Sequence, residues 1–429
     1  MLETSLALLL GLALLIAINV PIAVGICAVA LAGLYVSRGD LGLFDAALKA
    51  YDGATSFPLI AIPLFVLAGA LMNTSGISRR LIAFVSALIG FVRGGLAMVN
   101  VGVSLFFAEI SGSAVADVAA VGSVLIPGMK ARRYKATFAA AVTSASASLA
   151  IIIPPSIPMI LYGAMADTSV VQLFVAGILP GLIGGFSMMA LCYWFAVRYD
   201  LPREEAFSLP RLWAATRQAG WALLLPVIIL GGIFGGIVTA TEGAGLAVVA
   251  ALFIGFVVYR ELDFTHFYAA LVEGIVQTAV VMLLVATSAV LGLYLTQLEL
   301  PQSFARAITD LTDNRYAVLA LLNAMLLIFG MVLHGAAAII LVVPIVLPLI
   351  REVGIDPVHF GIVLTLNLAI GQQTPPVASV LATACSVAKT DIWETTKVNL
   401  PFIGVLFAVL MLVTYVPLVP MALVEYFYR

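Results

Sequence analysis

Runs of about twenty apolar residues recur along the whole chain, and a helix of that length spans ~30 Å of hydrocarbon. The clearest runs are 55–74, 170–197, 220–238, 240–259, 278–297 and 398–424. Of the 429 residues, 63% are hydrophobic and 10% are charged, whereas soluble domains carry roughly 25% charged residues. A chain of this composition would aggregate in water, so the sequence predicts an all-α integral membrane protein.

The remaining composition excludes several classes of function. The net charge is −2, and the basic residues form no run suited to nucleic acid. Cys27, Cys192 and Cys385 are too far apart for a metal or disulfide framework. The N-terminus lacks the basic region of a cleavable signal, so we expect the stretch 4–36 to be retained, as one helix broken at 19–21 or as two short helices.

Basic clusters at Arg79-Arg80, 130–135 and 198–217 mark the cytoplasmic side of short loops. Between the first two clusters the chain must enter the membrane and return on the same side. The stretch 94–127 has two short apolar arms around a polar break at 109–113. It is predicted to be a re-entrant helical hairpin.

The next crossing, 136–166, is interrupted by Pro154-Pro155-Ser156. Proline removes a backbone donor and clashes with the preceding helical turn. Two consecutive prolines should therefore leave unwound backbone at membrane depth, which is tolerated where protein buries it or where it lines a cavity. A broken helix is the predicted structure.

The second half of the chain repeats these features in order. Pro154-Pro155 recurs 221 residues later as Pro375-Pro376, and Gly112 recurs 223 residues later as Gly335. Short segments, 81–92 and 301–316, precede the two hairpins. The returning arms are predicted to end at prolines, namely Pro127 and Pro348.

Starting on the cytoplasmic side at Arg217, the three spans 220–238, 240–259 and 278–297 bring the chain to the outside. The second hairpin is therefore predicted to enter the membrane from the outside, opposite to the first. We therefore predict two inverted repeats, 1–217 and 218–429, with a second hairpin at 317–350 and a second broken helix at 358–388. About 10–12 transmembrane helices and two hairpins of this kind build ion-coupled secondary transporters. Free N–H groups at the half-helix N-termini would bind anions, and free carbonyls would bind cations.

At these residues the chain resembles the large membrane subunit of tripartite ATP-independent periplasmic (TRAP) transporters, of the dicarboxylate/sialic-acid permease type. The resemblance runs nearly end to end. The matching stretches are Phe57–Pro63 with Leu67–Gly69, Ser111–Asp117, Ile152–Ile157, Gly231–Gly236, Thr239–Glu242 and Thr374–Val377. Gly243 replaces the first alanine of the family's Thr-Glu-Ala-Ala pattern, a departure that we expect to affect packing only.

The resemblance implies a sodium-driven elevator-type carrier in the bacterial inner membrane, with no cofactor besides the coupling ion Na⁺. It also implies a small four-helix membrane subunit (Q type), a periplasmic substrate-binding protein (P type) and an organic-acid anion as substrate. No span of this chain corresponds to the small subunit, which we therefore expect to be a separate chain.

The candidate binding residues lie at the hairpin tips and helix breaks. They are Ser111, Gly112, Ser113, Asp117, Pro154, Pro155, Ser156, Gly335, Gln372, Gln373, Thr374, Pro375 and Pro376. Sodium, a hard cation that needs several oxygens, is expected near Ser111, Ser113, Gly335 and Thr374. The structural alternative is turns and kinks stabilised by small residues and capping hydroxyls.

Other functions fit the sequence less well. A proton relay through Glu109 and Asp117 is the rival to sodium coupling, and His334 is a pH-sensing or a structural histidine. A stand-alone divalent-anion carrier would share this architecture. A channel would need a continuous polar lining, and an enzyme would need a nucleophile with a base or a metal cluster, which the separated His266, His334 and His359 do not supply.

Overall fold

The structure, a computed structural model, describes residues 11, 14–15, 18, 20–203, 206–312 and 314–428, and for 109–111 it describes the backbone alone. The described helices are α1 (Ile22–Arg38), α2 (Asp40–Ala54), α3 (Ala61–Thr74), α4 (Ile77–Ile89), α5 (Gly95–Ser111), α6 (Ala114–Ala131), α7 (Ala136–Ala147), α8 (Ile157–Ala166), α9 (Val170–Arg198), α10 (Leu209–Phe234), α11 (Ala240–Phe253), α12 (Phe264–Gln297), α13 (Leu300–Thr309), α14 (Arg315–Val332), α15 (Gly335–Glu352), α16 (Pro357–Gly371), α17 (Ser379–Ala388), α18 (Ile392–Tyr415) and α19 (Leu418–Tyr428).

The predicted all-α membrane fold is confirmed. No β-strand occurs in the described ranges, and nine of the described helices are long and apolar enough to cross a membrane. Short 3₁₀ turns extend α3 at its start and α7 at its end. The helix α1 begins directly after Pro21, whereas Asn19 lies outside the described residues.

Both hairpins and both broken helices are present. Helices α5 and α6 form the first hairpin, and α14 and α15 form the second. The first broken helix consists of α7 and α8, and the second of α16 and α17. The six helices α4–α9 match α13–α18 in order, and each begins 220 to 223 residues before its counterpart. This order supports the two inverted repeats, whose division at residue 217 stays a prediction.

The returning arms of the hairpins are longer than predicted. Pro127 and Pro348 do not end them, because α6 continues to Ala131 and α15 to Glu352. Proline inside a membrane helix is tolerated where neighbouring groups satisfy the freed carbonyl. The prediction that each arm ends at its proline was therefore wrong.

The helices form two groups around the central cavity described below. Helix α12 packs on α1, α2 and α3, while α11 packs on α3 and α10, and these helices form one side. On the other side the two broken helices interlock across the halves, since α17 packs on α6 and α7, and α15 packs on α8. The helix-breaking sequences thus lie together inside one body.

An ion-pair cluster anchors α4 to the loop before α12. The two carboxylate oxygens of Glu261 lie 2.5 Å from Arg79 Nη2 and 2.7 Å from Arg80 Nη2. The Arg80 guanidinium also stacks 3.7 Å from the ring centre of Tyr259, whose hydroxyl donates to the Gln218 carbonyl. The hydrogen bond from Arg80 lowers the pKa of Glu261 below its usual range.

We expect Glu261→Gln to lower the midpoint of thermal unfolding at pH 7. A lowered folded-state pKa means that the carboxylate stabilises the fold above its unfolded value of about 4.3, and that this contribution is lost as the pH falls through the folded value. Thermal unfolding at pH 7 and near pH 3.5 checks this, because the difference between the two proteins should be smaller at the lower pH. An unchanged difference at both pH values would contradict the assignment.

Candidate functional site

A cavity of about 530 Å³ lies between α12 and the tips of both hairpins. The first hairpin contributes Gly112 and Ser113, and the second contributes His334 and Gly335. The breaks of both interrupted helices reach the same space, through Ile157 and Gln372. The polar breaks of the two halves therefore converge on one site.

Four helices begin at this cavity. The first residues of α6, α8, α15 and α17 all line it, namely Ala114, Ile157, Gly335 and Ser379. The first turn of a helix has N–H groups without intrahelical partners, and the helix dipole makes this end positive. Four such ends around one cavity favour an anion.

Among the described residues that line the cavity, Glu273 is the only carboxylate, and none is Lys or Arg. The exposed Glu273 accepts a hydrogen bond of 3.1 Å from Gln277 one turn later on α12. The sequence analysis missed both residues. A search for polar side chains inside the longest apolar helix would have found them.

The first hairpin tip contacts the first helix break through backbone atoms. Gly112 has φ +59°, and its carbonyl accepts a 3.4 Å hydrogen bond from the Ile157 N–H. Ser113 caps α6, because its hydroxyl accepts from the Ala116 N–H at 3.5 Å. The structure thus fixes the tip against the break.

The second hairpin tip is held in the same way. The Met331 carbonyl accepts a 3.2 Å bond from the Val377 N–H in the second break. Gly335 lies so close to Gln372 that a Cβ there would be 2.8 Å from the amide nitrogen. The side-chain oxygen Oε1 of Gln372 in turn accepts from the Ser379 hydroxyl at 3.4 Å. Gln372 therefore lies between the tip and the start of α17.

Gln373 points away from the cavity and joins the two broken helices. Its side-chain oxygen accepts from the Ser144 hydroxyl at 2.7 Å and from Asn399 Nδ2 at 2.9 Å. Its amide nitrogen donates to the Ser144 carbonyl at 2.5 Å and to the Ser148 hydroxyl. Gln373, Ser144, Ser148 and Asn399 are all fully buried. This arrangement crosslinks the halves inside the body that carries the site.

Only some of the predicted binding residues that the structure describes line the cavity. Of the candidate set, Gly112, Ser113, Gly335 and Gln372 line the cavity. Ser156 bonds to the Ile151 carbonyl at 2.7 Å, and Thr374 to the Ile370 carbonyl at 2.9 Å. Asp117 is buried in α6, and the side chains of Glu109 and Ser111 lie outside the described residues.

The paired prolines shape the breaks without lining the cavity. The Pro154-Pro155 and Pro375-Pro376 peptide bonds are both cis. The Pro155 carbonyl oxygen lies against Gly112. Of the residues predicted to hold sodium whose side chains the structure describes, Ser113 and Gly335 line the cavity and Thr374 does not.

A basic residue at the end of each hairpin caps the broken helix of the other half. Lys130 Nζ, near the end of α6, donates to the Ala388 carbonyl at the end of α17 at 3.1 Å. Arg351 Nη2, near the end of α15, donates to the Ala166 carbonyl at the end of α8 at 3.2 Å. Cations favour the negative end of a helix. These reciprocal caps tie the two halves together at both ends of the body.

Removing either reciprocal cap should destabilise the fold. We expect Lys130→Met and Arg351→Met each to cost about 1 kcal/mol, the usual size of a helix-end charge and its hydrogen bond. Thermal unfolding in detergent measures this. Lys49→Met is the control, since that exposed side chain lies before the last turn of α2 and makes no hydrogen bond to a described residue. Equal unfolding temperatures for all three variants would contradict the prediction.

A second cavity, of about 510 Å³, adjoins the first. Both are lined by Ala116, Ala119 and Glu273, and the second extends to Arg79 and Glu261. The basic residues of this region mark the cytoplasmic side. The site therefore has a continuous cleft toward the side that the sequence predicts to be cytoplasmic.

The geometry agrees with what comparison with known proteins shows. A family model described as the DctM component of tripartite ATP-independent periplasmic transporters matches residues 9–419. The C4-dicarboxylate TRAP transporter large permease protein DctM of Pseudomonas aeruginosa is 40% identical, with 88% of each chain covered. The sialic acid TRAP transporter large permease protein SiaM of Vibrio cholerae is 37% identical, with 95% of this chain and 96% of that protein covered.

One relative is longer, and one solved structure shares the fold. The isethionate TRAP transporter permease protein DctMQ of Oleidesulfovibrio alaskensis is 42% identical over 95% of this chain, which spans 64% of that protein. The crystal structure of the Alcanivorax borkumensis YdaH transporter has a TM-score of 0.66 at 15% identity, covering 92% of this chain and 97% of that one. At this identity the likeness concerns the fold alone.

Proposed function

This chain belongs to the DctM family of tripartite ATP-independent periplasmic transporters, and we propose that it couples sodium entry to the import of an organic-acid anion. It is a multi-pass protein of the bacterial inner membrane and a large permease subunit for organic acids. Its relatives are transporter permeases rather than enzymes. We propose in addition a coupling ion, two partner proteins and a conformational change for transport.

The observation that carries the anion proposal is the convergence of α6, α8, α15 and α17 on one cavity. The dipoles of these four helices place positive ends where Lys and Arg are missing from the described lining. A carboxylate of the substrate would bind these ends, and Glu273 and Gln277 on α12 would face its remaining polar groups. Glu273 would disfavour a second carboxylate on that side.

Oxygen atoms at the same breaks support sodium as the coupling ion. The 3₁₀ turn after α7 ends beside the cavity at Ile151, and Gln372, the residue directly after the end of α16, also lines it. Helix C-terminal carbonyls and hydroxyls are suitable ligands for a hard cation. We propose that sodium binds within reach of Ser111, Ser113, Gly335 and Thr374.

We propose an elevator-type movement, in which one rigid body carries the site across the membrane. The helices of both breaks form one body joined by Gln373 and by the reciprocal caps, whereas α12 belongs to the opposite group. Sliding of the first body along α12 would carry the cavity across the membrane. The cleft toward Arg79 and Glu261 then corresponds to an inward-open arrangement.

For partners we propose a small Q-type membrane subunit and a P-type periplasmic binding protein, as the family name implies and as the name of the DctMQ relative suggests. The test is uptake of labelled organic acids into proteoliposomes that hold this chain and its small partner. Sodium gradient and binding protein are each supplied or omitted.

Uptake that needs both sodium and the binding protein is the expected result. Uptake without the binding protein would replace the tripartite proposal with a stand-alone carrier. Uptake that follows a proton gradient would overturn sodium coupling and direct attention to Glu109 and Asp117.

A further inference from the structure

A separate cavity of about 480 Å³ shares no lining residue with the cavity of the candidate site. It is formed by the start of α7, the end of α9 and the first half of α18. Three cationic side chains line it, namely Arg133, Lys135 and Lys397. The described lining includes no Asp or Glu. The cavity is therefore electropositive.

The three cations have no carboxylate partner in the described part of the chain. The ion pairs found there involve other basic residues. All three residues are exposed. Three like charges around one cavity repel one another, so an anion that enters the cavity would relieve this repulsion.

Apart from Thr137, the rest of the described lining is apolar or aromatic. Phe138 packs edge-on against Phe195 at 5.6 Å, and Phe195 stacks on Tyr199 at 5.7 Å. Tyr199 is 63% exposed at the end of α9, as expected for an aromatic residue at the membrane surface. The cavity thus combines a cationic rim with an apolar wall, which suits a headgroup with an attached chain better than a small hydrophilic ion.

The predicted cytoplasmic location of the cavity indicates which anion it binds. Residues of the basic clusters 130–135 and 198–217, which the sequence predicts to be cytoplasmic, line this cavity, so we expect it to lie near the headgroups of the inner leaflet. We propose that this cavity binds the phosphate headgroup of an anionic phospholipid of the inner leaflet. The lipid's acyl chains would lie against Phe195 and Tyr199, and its phosphate would contact Lys135 and Lys397.

Binding of phosphatidylglycerol to the purified chain, measured by native mass spectrometry, tests this without any uptake assay. We expect tighter binding of phosphatidylglycerol than of phosphatidylcholine. Lys135→Gln/Lys397→Gln should weaken it by about fivefold for each cation removed. The charge-conserving Lys135→Arg/Lys397→Arg variant should retain binding.

The matched control is Arg217→Gln/Arg260→Gln, which removes two cytoplasmic cations outside the cavity. Equal loss in both glutamine variants would overturn the proposal in favour of general charge attraction. Binding of inorganic phosphate with the same variant dependence, without preference for the lipid, would replace it with a soluble-anion site. Because no transport is measured, failure of the proposed function leaves this test intact.

Discussion

Replacing Gly112 with alanine is expected to reduce uptake at least tenfold. The left-handed backbone at this residue, with φ +59°, costs an L-amino acid about 1–2 kcal/mol. The added Cβ would also lie 2.9 Å from the Pro155 carbonyl oxygen and 3.2 Å from the Ile157 nitrogen. Both are backbone atoms that cannot rotate away, so the hairpin tip must lift off the break.

Gly354→Ala is the control for Gly112→Ala. Gly354 follows the end of α15 with φ +73°, and a Cβ there would meet no atom within 4 Å. It therefore carries the conformational strain without the contact. Uptake into proteoliposomes at equal protein content compares the two. Loss of a tenfold or greater factor in both variants, or in neither, would show that contact between tip and break does not control transport.

Local sequence signals were sufficient to predict the framework of the site. Consecutive prolines break a helix wherever they occur, and the breaks lie where Pro154-Pro155 and Pro375-Pro376 predicted them. The hairpins were predicted from arms too short to span, whereas α6, α14 and α15, of 18 residues each, are long and apolar enough to cross a membrane, so a re-entrant course stays a prediction. Pro127 and Pro348 show the limit of this reasoning, because tertiary packing keeps the helix intact around them.

Side-chain direction could not be predicted in the same way. Gln372 and Gln373 are adjacent and chemically identical, yet the first lines the cavity and the second is fully buried between helices. The chain turns at this point, so neither helical nor strand periodicity applies. Glu273 stands out in the sequence as a charged residue inside a long apolar helix, but its place opposite the hairpin tips follows from the packing of α12.

Removing the polar crosslink at Gln373 is expected to destabilise the fold strongly. Gln373→Leu keeps most of the side-chain volume but removes the amide that Ser144, Ser148 and Asn399 share. Each buried polar group left without a partner costs about 1–3 kcal/mol. In a buried network these costs add to one another. We therefore expect a loss of several kcal/mol in stability and little folded protein at 37 °C.

Gln372→Leu separates this effect from a direct effect on the site. Gln372 makes one weak side-chain bond, to Ser379, and borders the cavity. We expect that variant to unfold near the wild-type temperature while its apparent affinity for substrate falls. Thermal unfolding measures the effect of each variant on stability, and concentration-dependent uptake measures its effect on the apparent affinity for substrate. If both unfold at one temperature, the two broken helices are held together by apolar packing instead, and the body that we propose to slide along α12 would owe its rigidity to α6, α7 and α17 rather than to Gln373.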